Sequence, residues 1–454
     1  MRIQFIIRVF LSSMLGAAFV LPAVAQTKDA YEMTVNGVKV IVQPSGNEIV
    51  EVRTILKGGV QNYPESKSGI ESLAMTALTE CGTSKDDKNS FKDKLDKVSA
   101  EISGNSEMDY STFRLNCIKS DLDAVWPLYV DAFTTPLFDN KEFDRIKQDA
   151  INNLKSQASR PDFAIDKLAK ETAFAGKDYA KDPDGTEGTI NNLTADETKQ
   201  YYHSILSRSR MLIVVVGDLD RSALEQRIRQ LTASIPEGKH FILKRYSYIP
   251  AKNSFKSEKK DLATNYIEGI TAAPQPGSAD FDAYILASRI FYDRHFLEVR
   301  TNNGLSYAPI VHFAGGLSPY TSIVVSTTDP DKYKAVLDQL TGKIKKKGFT
   351  AEEVKNGKTG YVTSFYYKME TNSAQASSLA ANEVLHNNWR RALTINEDLK
   401  KVSLTDVNRA FNKYINHITW VYQGDSTKVN PTLYTADPGK TKIPDSRLKN
   451  ENKK

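Results

Sequence analysis

The chain has 454 residues, 40% hydrophobic and 26% charged, with 61 basic and 55 acidic side chains. Leaving out residues 1–25, which carry Arg2 and Arg8, the surplus is four positive charges over 429 positions. That bias is too mild for a nucleic-acid-binding chain, and the length accommodates two domains with cores of their own.

The N-terminus pairs Arg2 and Arg8 with a thirteen-residue apolar run, Val9 to Leu21, and small residues at Ala23-Val24-Ala25. This is the pattern of a secretory signal peptide over 1–25. The run is too short to span a bilayer, which takes about 20 apolar residues, and no later segment approaches that length. No cysteine marks a lipid-attachment point. The mature chain is therefore expected to begin at Gln26 and to work outside the cytoplasm, with the periplasm as the expected compartment.

"YEMTVNGVKVIVQ" carries Asn36-Gly37 between alternating residues, a hairpin signal, and "EIVEVRTILKGG" continues in strand style. In "SGIESLAMTALTECGT", 68–83, Ser68 and Glu71 have capping-box spacing. Ile70, Leu73, Ala74, Ala77, Leu78 and Cys81 recur on one helical face, and Gly82 supplies a stop. Next come a helical "SFKDKLDKVSAE", a β-like "EMDYSTFRLNCI", and helices near 119–133, 140–158 and 162–174. The first half, 26–235, closes with "LTADETKQYYHSIL", the strand "MLIVVVGDLD" and the helix "RSALEQRIRQLTASI". Cys81 and Cys117 both fall in core phase, which leaves open a disulfide or two buried thiols.

A polar connector, 236–257, precedes a second α+β unit, 258–428, and a polar tail, 429–454, expected to be disordered. The second unit repeats the first. "LFDNKEF" at 137–143 resembles "GFTAEEV" at 348–354, "LTADETKQYYHSI" resembles "LTDVNRAFNKYI" at 404–415, and "VVVGDLD" resembles "VYQGDST" at 421–427. The constant offset of about 210 residues marks an internal duplication.

From about Tyr31 to Asp425 the chain resembles the insulinase or pitrilysin-type zinc peptidases, a group that includes the mitochondrial processing peptidase. The resemblance rests on "GTEGTINNLTADETKQYYHSILSRSRMLIVVVGDLD", 185–220, and "RTNNGLSYAP", 300–309. It implies two homologous domains, each a β-sheet packed against helices, closing clam-shell fashion with a partner chain around an extended peptide. In active members the helix matching 68–83 carries His-x-x-Glu-His, two imidazoles on one face to ligate zinc and a glutamate to activate water. Here Ser72, Met75 and Thr76 stand on those positions, and Asn152 or Asn153 stands where the family has a further glutamate ligand. The six histidines, at 203, 240, 295, 312, 386 and 417, never recur at four-residue spacing. This chain is therefore expected to bind no metal, and zinc is expected in the partner.

The "R...GL.Y" stretch is complete. Arg300 and Tyr307 match the family positions that reach the substrate near the scissile bond, where a guanidinium and a phenol can donate to a developing oxyanion. Arg300 is expected at the end of a helix that Gly304 breaks, with Tyr307 opening a strand. The helix dipole and strand propensity would favour these residue types without any catalytic role. Gly315 and Gly316 in "FAGGLSPYTS" are either a peptide-contacting glycine loop or a plain hairpin turn. Ser72 has neither a nearby histidine nor nucleophile-elbow glycines.

The resemblance implies the catalytically incomplete subunit of an exported heteromeric zinc endopeptidase, lending Arg300 and Tyr307 to a zinc-bearing homologue that cleaves extended peptides. The alternatives are a noncatalytic scaffold or peptide-binding protein of the same fold, and a stand-alone hydrolase with another site.

Overall fold

A computed structural model of the chain describes residues 29–436. The stretch expected to be a signal peptide, 1–25, and most of the expected tail thus lie outside the described residues. Asn36 and Gly37 both take positive φ, 49° and 81°, and turn β1 (Tyr31–Val35) into β2 (Val38–Gln43) as the hairpin signal predicts. With β3 (Ile49–Lys57), β4 (Glu101–Ser106), β5 (Tyr110–Ile118) and β6 (Met211–Val216) they form a six-stranded sheet in the order β1-β2-β6-β3-β5-β4. The second sheet joins β7 (Ser254–Lys259), β8 (Asn265–Ala272), β9 (Ile310–Ala314), β10 (Tyr320–Thr327) and β11 (Ile418–Gly424) in the order β7-β11-β8-β10-β9.

The duplication is visible in these orders. Both β2 with β6 and β7 with β11 pair in parallel, and the three pairings that follow are antiparallel in each sheet.

Among the described residues eight α-helices belong to the first half: α1 (Ile70–Glu80), α2 (Lys88–Asp96), α3 (Leu122–Thr134), α4 (Asn140–Ala158), α5 (Pro161–Ala173), α6 (Glu187–Asn191), α7 (Ala195–Ile205) and α8 (Arg221–Thr232). The second half adds α9 (Phe281–Phe296), α10 (Pro330–Lys347), α11 (Ala351–Lys368), α12 (Asn372–His386), α13 (Arg391–Lys401), α14 (Leu404–Tyr414) and α15 (Pro431–Thr435). Side chains repeat as well as elements. Lys147 on α4 donates to the carbonyls of Asn191 and Leu193 (3.2 and 2.6 Å), and Lys358 on α11 donates to those of Lys400 and Val402 (2.9 and 2.7 Å).

Each half lends one helix to the other. Ala376, Leu379, Ala380 and Val384 of α12 cover Ile41, Ile55, Leu212 and Val214 on the outer face of the first sheet. All six residues of β6 are buried in consequence, as a strand covered on both faces requires. Reciprocally, α5 packs on β8 and β11, bringing Ile165, Leu168 and Ala169 into one cluster with Ile270 and Val421.

Several expectations need correction. Ser68 and Glu71 form no capping box. Gly69, at φ 91°, is the N-cap of α1, the Ser68 hydroxyl is buried without a partner among the described residues, and the Glu71 carboxylate turns into the core. Helix α2 ends at Asp96, because Glu101 already belongs to β4. β7 begins at Ser254, inside the stretch read as connector. Within the stretch expected to be a disordered tail, α15 buries Tyr434, whose hydroxyl donates to the Pro330 carbonyl (2.7 Å). Tyr307 lies in a loop three residues ahead of β9 rather than opening a strand.

Candidate functional site

Helix α1 starts where two backbones touch. A Cβ on Gly69 would lie 2.9 Å from the Asp184 carbonyl, and one on Gly185 would lie 2.5 Å from the Ser68 carbonyl, so both positions require glycine. This contact seats the "GT" of the 185–220 stretch against the helix. The tyrosines of the same stretch brace it: Tyr202 donates to the Phe133 carbonyl (2.6 Å), and Tyr201 donates to the carboxylate of Glu71. Glu71 also accepts from Ser111 and from Asn62 Nδ2 (3.0 Å). Burial raises its pKa, against the pull of these donors. The spacing to Ser68 points to a helix cap, but the actual partners of Glu71 lie 9, 40 and 130 residues away, with no local signal.

Ser72 and Thr76 lie one turn apart on the face of α1 that lines a cleft of about 550 Å3, with Asn153 on α4 across from them. Three of the four degenerate positions therefore converge, while Met75 is fully buried, its backbone within reach of Gly104 on β4. Asn152 is exposed and accepts from Gln148 Nε2 (3.1 Å). The Ser72 hydroxyl donates to Asp184 Oδ1 (3.1 Å), and the Thr76 hydroxyl donates to the Ser72 carbonyl (2.9 Å).

Of the cleft's carboxylates, Glu80 and Asp149 are held by a cation of the chain itself, and Asp184 accepts from the Ser72 hydroxyl. Arg145 donates from Nε to Glu142 (2.8 Å), from Nη1 to Asp149 (2.8 Å) and from Nη2 to Glu80 (2.6 Å). Burial acts to raise the Glu80 carboxyl, but Lys92 and Arg145 outweigh it and hold the group below its usual range. Two hydroxyls, a thioether and a neutral amide do not make a zinc donor set. Among the described residues no group of three or more His, Cys, Asp or Glu is placed to hold a metal ion.

In the second half Ala283, Leu286 and Ala287 of α9, the duplicate of α1, are buried, and Gly357 and Gly360 of α11 face Ile290 and Arg289 of α9.

Arg300 sits in a π-helical turn, Leu297–Asn302, that continues α9. Gly304, at φ 60°, ends it: its N–H donates to the Arg300 carbonyl (3.2 Å), and that of Leu305 donates to the Val299 carbonyl (2.9 Å). Such wide turns recur at functional sites. The guanidinium lies 4.2 Å from the centroid of the Tyr307 ring and 5.1 Å from that of Phe296. Glu298, the adjacent acid, is taken by Asn302 (2.9 Å) and Asn303 (3.3 Å). Among the described residues neither the guanidinium nor the Tyr307 hydroxyl has a hydrogen-bond partner, and Tyr307 is 79% exposed. The fold thus brings Arg300 and Tyr307 together, but not to the cleft, whose lining comes wholly from the first half.

Gly315 and Gly316 occupy the turn of the β9-β10 hairpin. Gly315 faces Phe281 and Phe313; Gly316 faces Tyr179 and Asp109.

Residues 40–185 match the family model described as insulinase (peptidase family M16), and residues 192–361 match that of the peptidase M16 inactive domain. The chain belongs to the M16 family. An M16 relative from Helicobacter pylori, named non-peptidase homolog YmxG, is 21% identical over 87% of this chain and 94% of its own length. The solved peptidase M16 inactive domain from Pseudomonas fluorescens covers 89% of this chain and all of its own, with TM-score 0.80 and 18% identity. The periplasmic protease PqqL from Escherichia coli matches 88% of this chain with 46% of its own, with TM-score 0.76 and 14% identity. These likenesses are of fold.

Proposed function

We propose that this chain is the catalytically incomplete subunit of an exported, heteromeric zinc endopeptidase, presenting Arg300 and Tyr307 to an extended peptide held at the zinc of a homologous partner. The observation that carries this proposal is the contrast between the two sites. The Arg300/Tyr307 pair is preformed and its donors are unengaged, while Ser72, Met75, Thr76 and Asn153 offer no metal chemistry. Donors fixed in place before charge develops are the kind that stabilise an oxyanion. β4, one edge strand of the first sheet, packs against α1 and offers an extended peptide a strand to pair with. The signal-like N-terminus and the fold likeness to a periplasmic protease support work in the periplasm. No helix among the described residues is long and apolar enough to cross a membrane.

The name of the Helicobacter relative favours a second assignment, a noncatalytic scaffold or peptide-binding protein. One experiment separates the two. The chain is purified alone and with a zinc-helix homologue, and cleavage of quenched peptides and metal content are measured. The subunit assignment expects no stoichiometric zinc and no turnover alone, and turnover on mixing that collapses in Arg300→Ala. Chelator-sensitive turnover by the isolated chain overturns both assignments. Unchanged turnover of the mixture in Arg300→Ala and Tyr307→Phe leaves only the scaffold.

A further inference from the structure

The seam between the halves buries two carboxylates, each facing groups of the opposite half. Asp109, just ahead of β5, accepts from the Tyr179 hydroxyl at Oδ1 (2.6 Å) and from the Leu317 N–H, in the β9-β10 turn, at Oδ2 (3.1 Å). The turn comes this close because residue 316 is glycine: a Cβ there would lie 2.4 Å from Tyr179 Oη and 2.7 Å from Asp109 Oδ2. Leu317 is fully buried, and its carbonyl accepts from the Tyr246 N–H of the connector (3.2 Å). The other charged or titratable groups around Asp109 are Glu107 and Tyr110 of its own hairpin and Arg245 of the connector.

Glu268 on β8 is buried under α5. Its Oε1 accepts from the Ser322 hydroxyl (2.6 Å), and its Oε2 has no partner among the described residues. Asp166 and Lys170 of α5 face it, Tyr320 lies beside it, and His312 on β9 faces the same α5 pair. Lys170 is bonded to Asp166 (2.7 Å) rather than to Glu268.

We propose that these two carboxylates make the seam proton-operated: the Asp109–Tyr179–Leu317 clasp and the α5 contact over Glu268 hold fast when both are protonated and loosen when they ionise. A neutral carboxyl keeps the same neighbours without burying charge, whereas an ionised one has few donors and no bonded cation. Burial is the leading cause in both cases, lifting Asp109 to about 6 and Glu268 to about 7. In the opened seam both return to about 4. Raised values favour the closed form in full below about pH 4, and that contribution is lost as pH rises through 6 to 7. Raising the pKa of a carboxyl by one makes closing about tenfold more favourable. The turn carrying Gly315 and Gly316 is, in this light, a clasp between halves rather than a peptide contact.

The test is amide hydrogen exchange of the mature chain at pH 5 and pH 8, corrected for intrinsic rates, over residues 313–320 and 161–173. Protection of both segments is expected to fall at least about tenfold at the higher pH, with the first sheet unchanged. Asp109→Asn/Glu268→Gln is expected to show equal protection at both values. Gly316→Val, which wedges the clasp without touching either acid, is expected to expose 313–320 at both. Equal protection in the wild type, or a pH response that survives in the double variant, overturns the proposal. The wild-type profile and Gly316→Val decide it alone should the double variant not fold.

Discussion

The Arg300 guanidinium lies over the ring of Tyr307 at 4.2 Å from its centroid, and no carboxylate among the described residues claims it. A stack of this kind is worth about 0.5–1 kcal/mol at an exposed site, enough to bias the guanidinium toward one orientation while leaving its N–H groups free. Tyr307→Phe keeps the stack and removes only the hydroxyl. In a cleaving complex with a zinc-bearing homologue, kcat is expected to fall roughly 100-fold, the usual cost of losing one oxyanion donor. The melting temperature of the chain is expected to hold, since the side chain is exposed. A normal kcat places the hydroxyl outside the chemistry.

Ser72, Thr76 and Asn153 line one cleft from two helices. Replacing them with His, His and Glu restores two imidazoles four residues apart and a facing carboxylate. The triple variant is expected to bind one zinc ion per chain by elemental analysis, against none for the wild type. A metal-free triple variant means that these side chains do not converge closely enough to share an ion.

Glu71 satisfies Ser111, Tyr201 and Asn62 at once. Glu71→Ala strands one buried donor, Ser111, and two half-buried ones, Tyr201 and Asn62, and is expected to cost roughly 3 kcal/mol in urea unfolding. Glu71→Gln, which keeps an acceptor, is expected to cost less than half of that. Equal losses would mean that shape alone matters at this position.

His295 is fully buried, its Nε2 3.1 Å from the Tyr333 hydroxyl and its Nδ1 without a partner among the described residues. Burial depresses its pKa to about 3. The unfolded chain takes up a proton near pH 6.5 that the folded chain refuses, so stability falls as pH drops from about 6.5 toward 3. This slope opposes that of Asp109 and Glu268, whose raised values favour the folded chain at acid pH. His295→Gln is expected to flatten the acid limb of a plot of unfolding free energy against pH. An unaltered limb assigns the acid sensitivity elsewhere.

Cys81 and Cys117 are both free and buried, and burial pushes each thiol up to about 12. Neither is expected to react with iodoacetamide at pH 8 until the chain is unfolded, when both should label. Rapid labelling of the native chain would show that the first-half core opens.

Elements whose cause is local were legible in the sequence. The Asn36-Gly37 hairpin, the long helices α4 and α5, and the repeat at an offset of about 210 residues all announce themselves through turn chemistry or periodicity. β4 did not. "EISGNS" lacks apolar alternation because it is an edge strand, and Gly104 is there to admit the backbone of Met75. Glu71 misled because its real partners are distant in sequence. The family motif located Arg300 and Tyr307, but it does not tell that a π-turn and a stacked ring hold them, since both depend on how α9 ends.

The exchange of α5 and α12 bears on the ancestry of the chain. A gene for the first half alone would specify a sheet whose outer face, with Ile41, Ile55, Leu212 and Val214, stands bare, and a helix with no sheet to rest on. Two such products would satisfy each other as a symmetric pair. The duplicated gene reads as that pair written on one ribbon, and cutting it at the connector should yield fragments that are soluble only when expressed together.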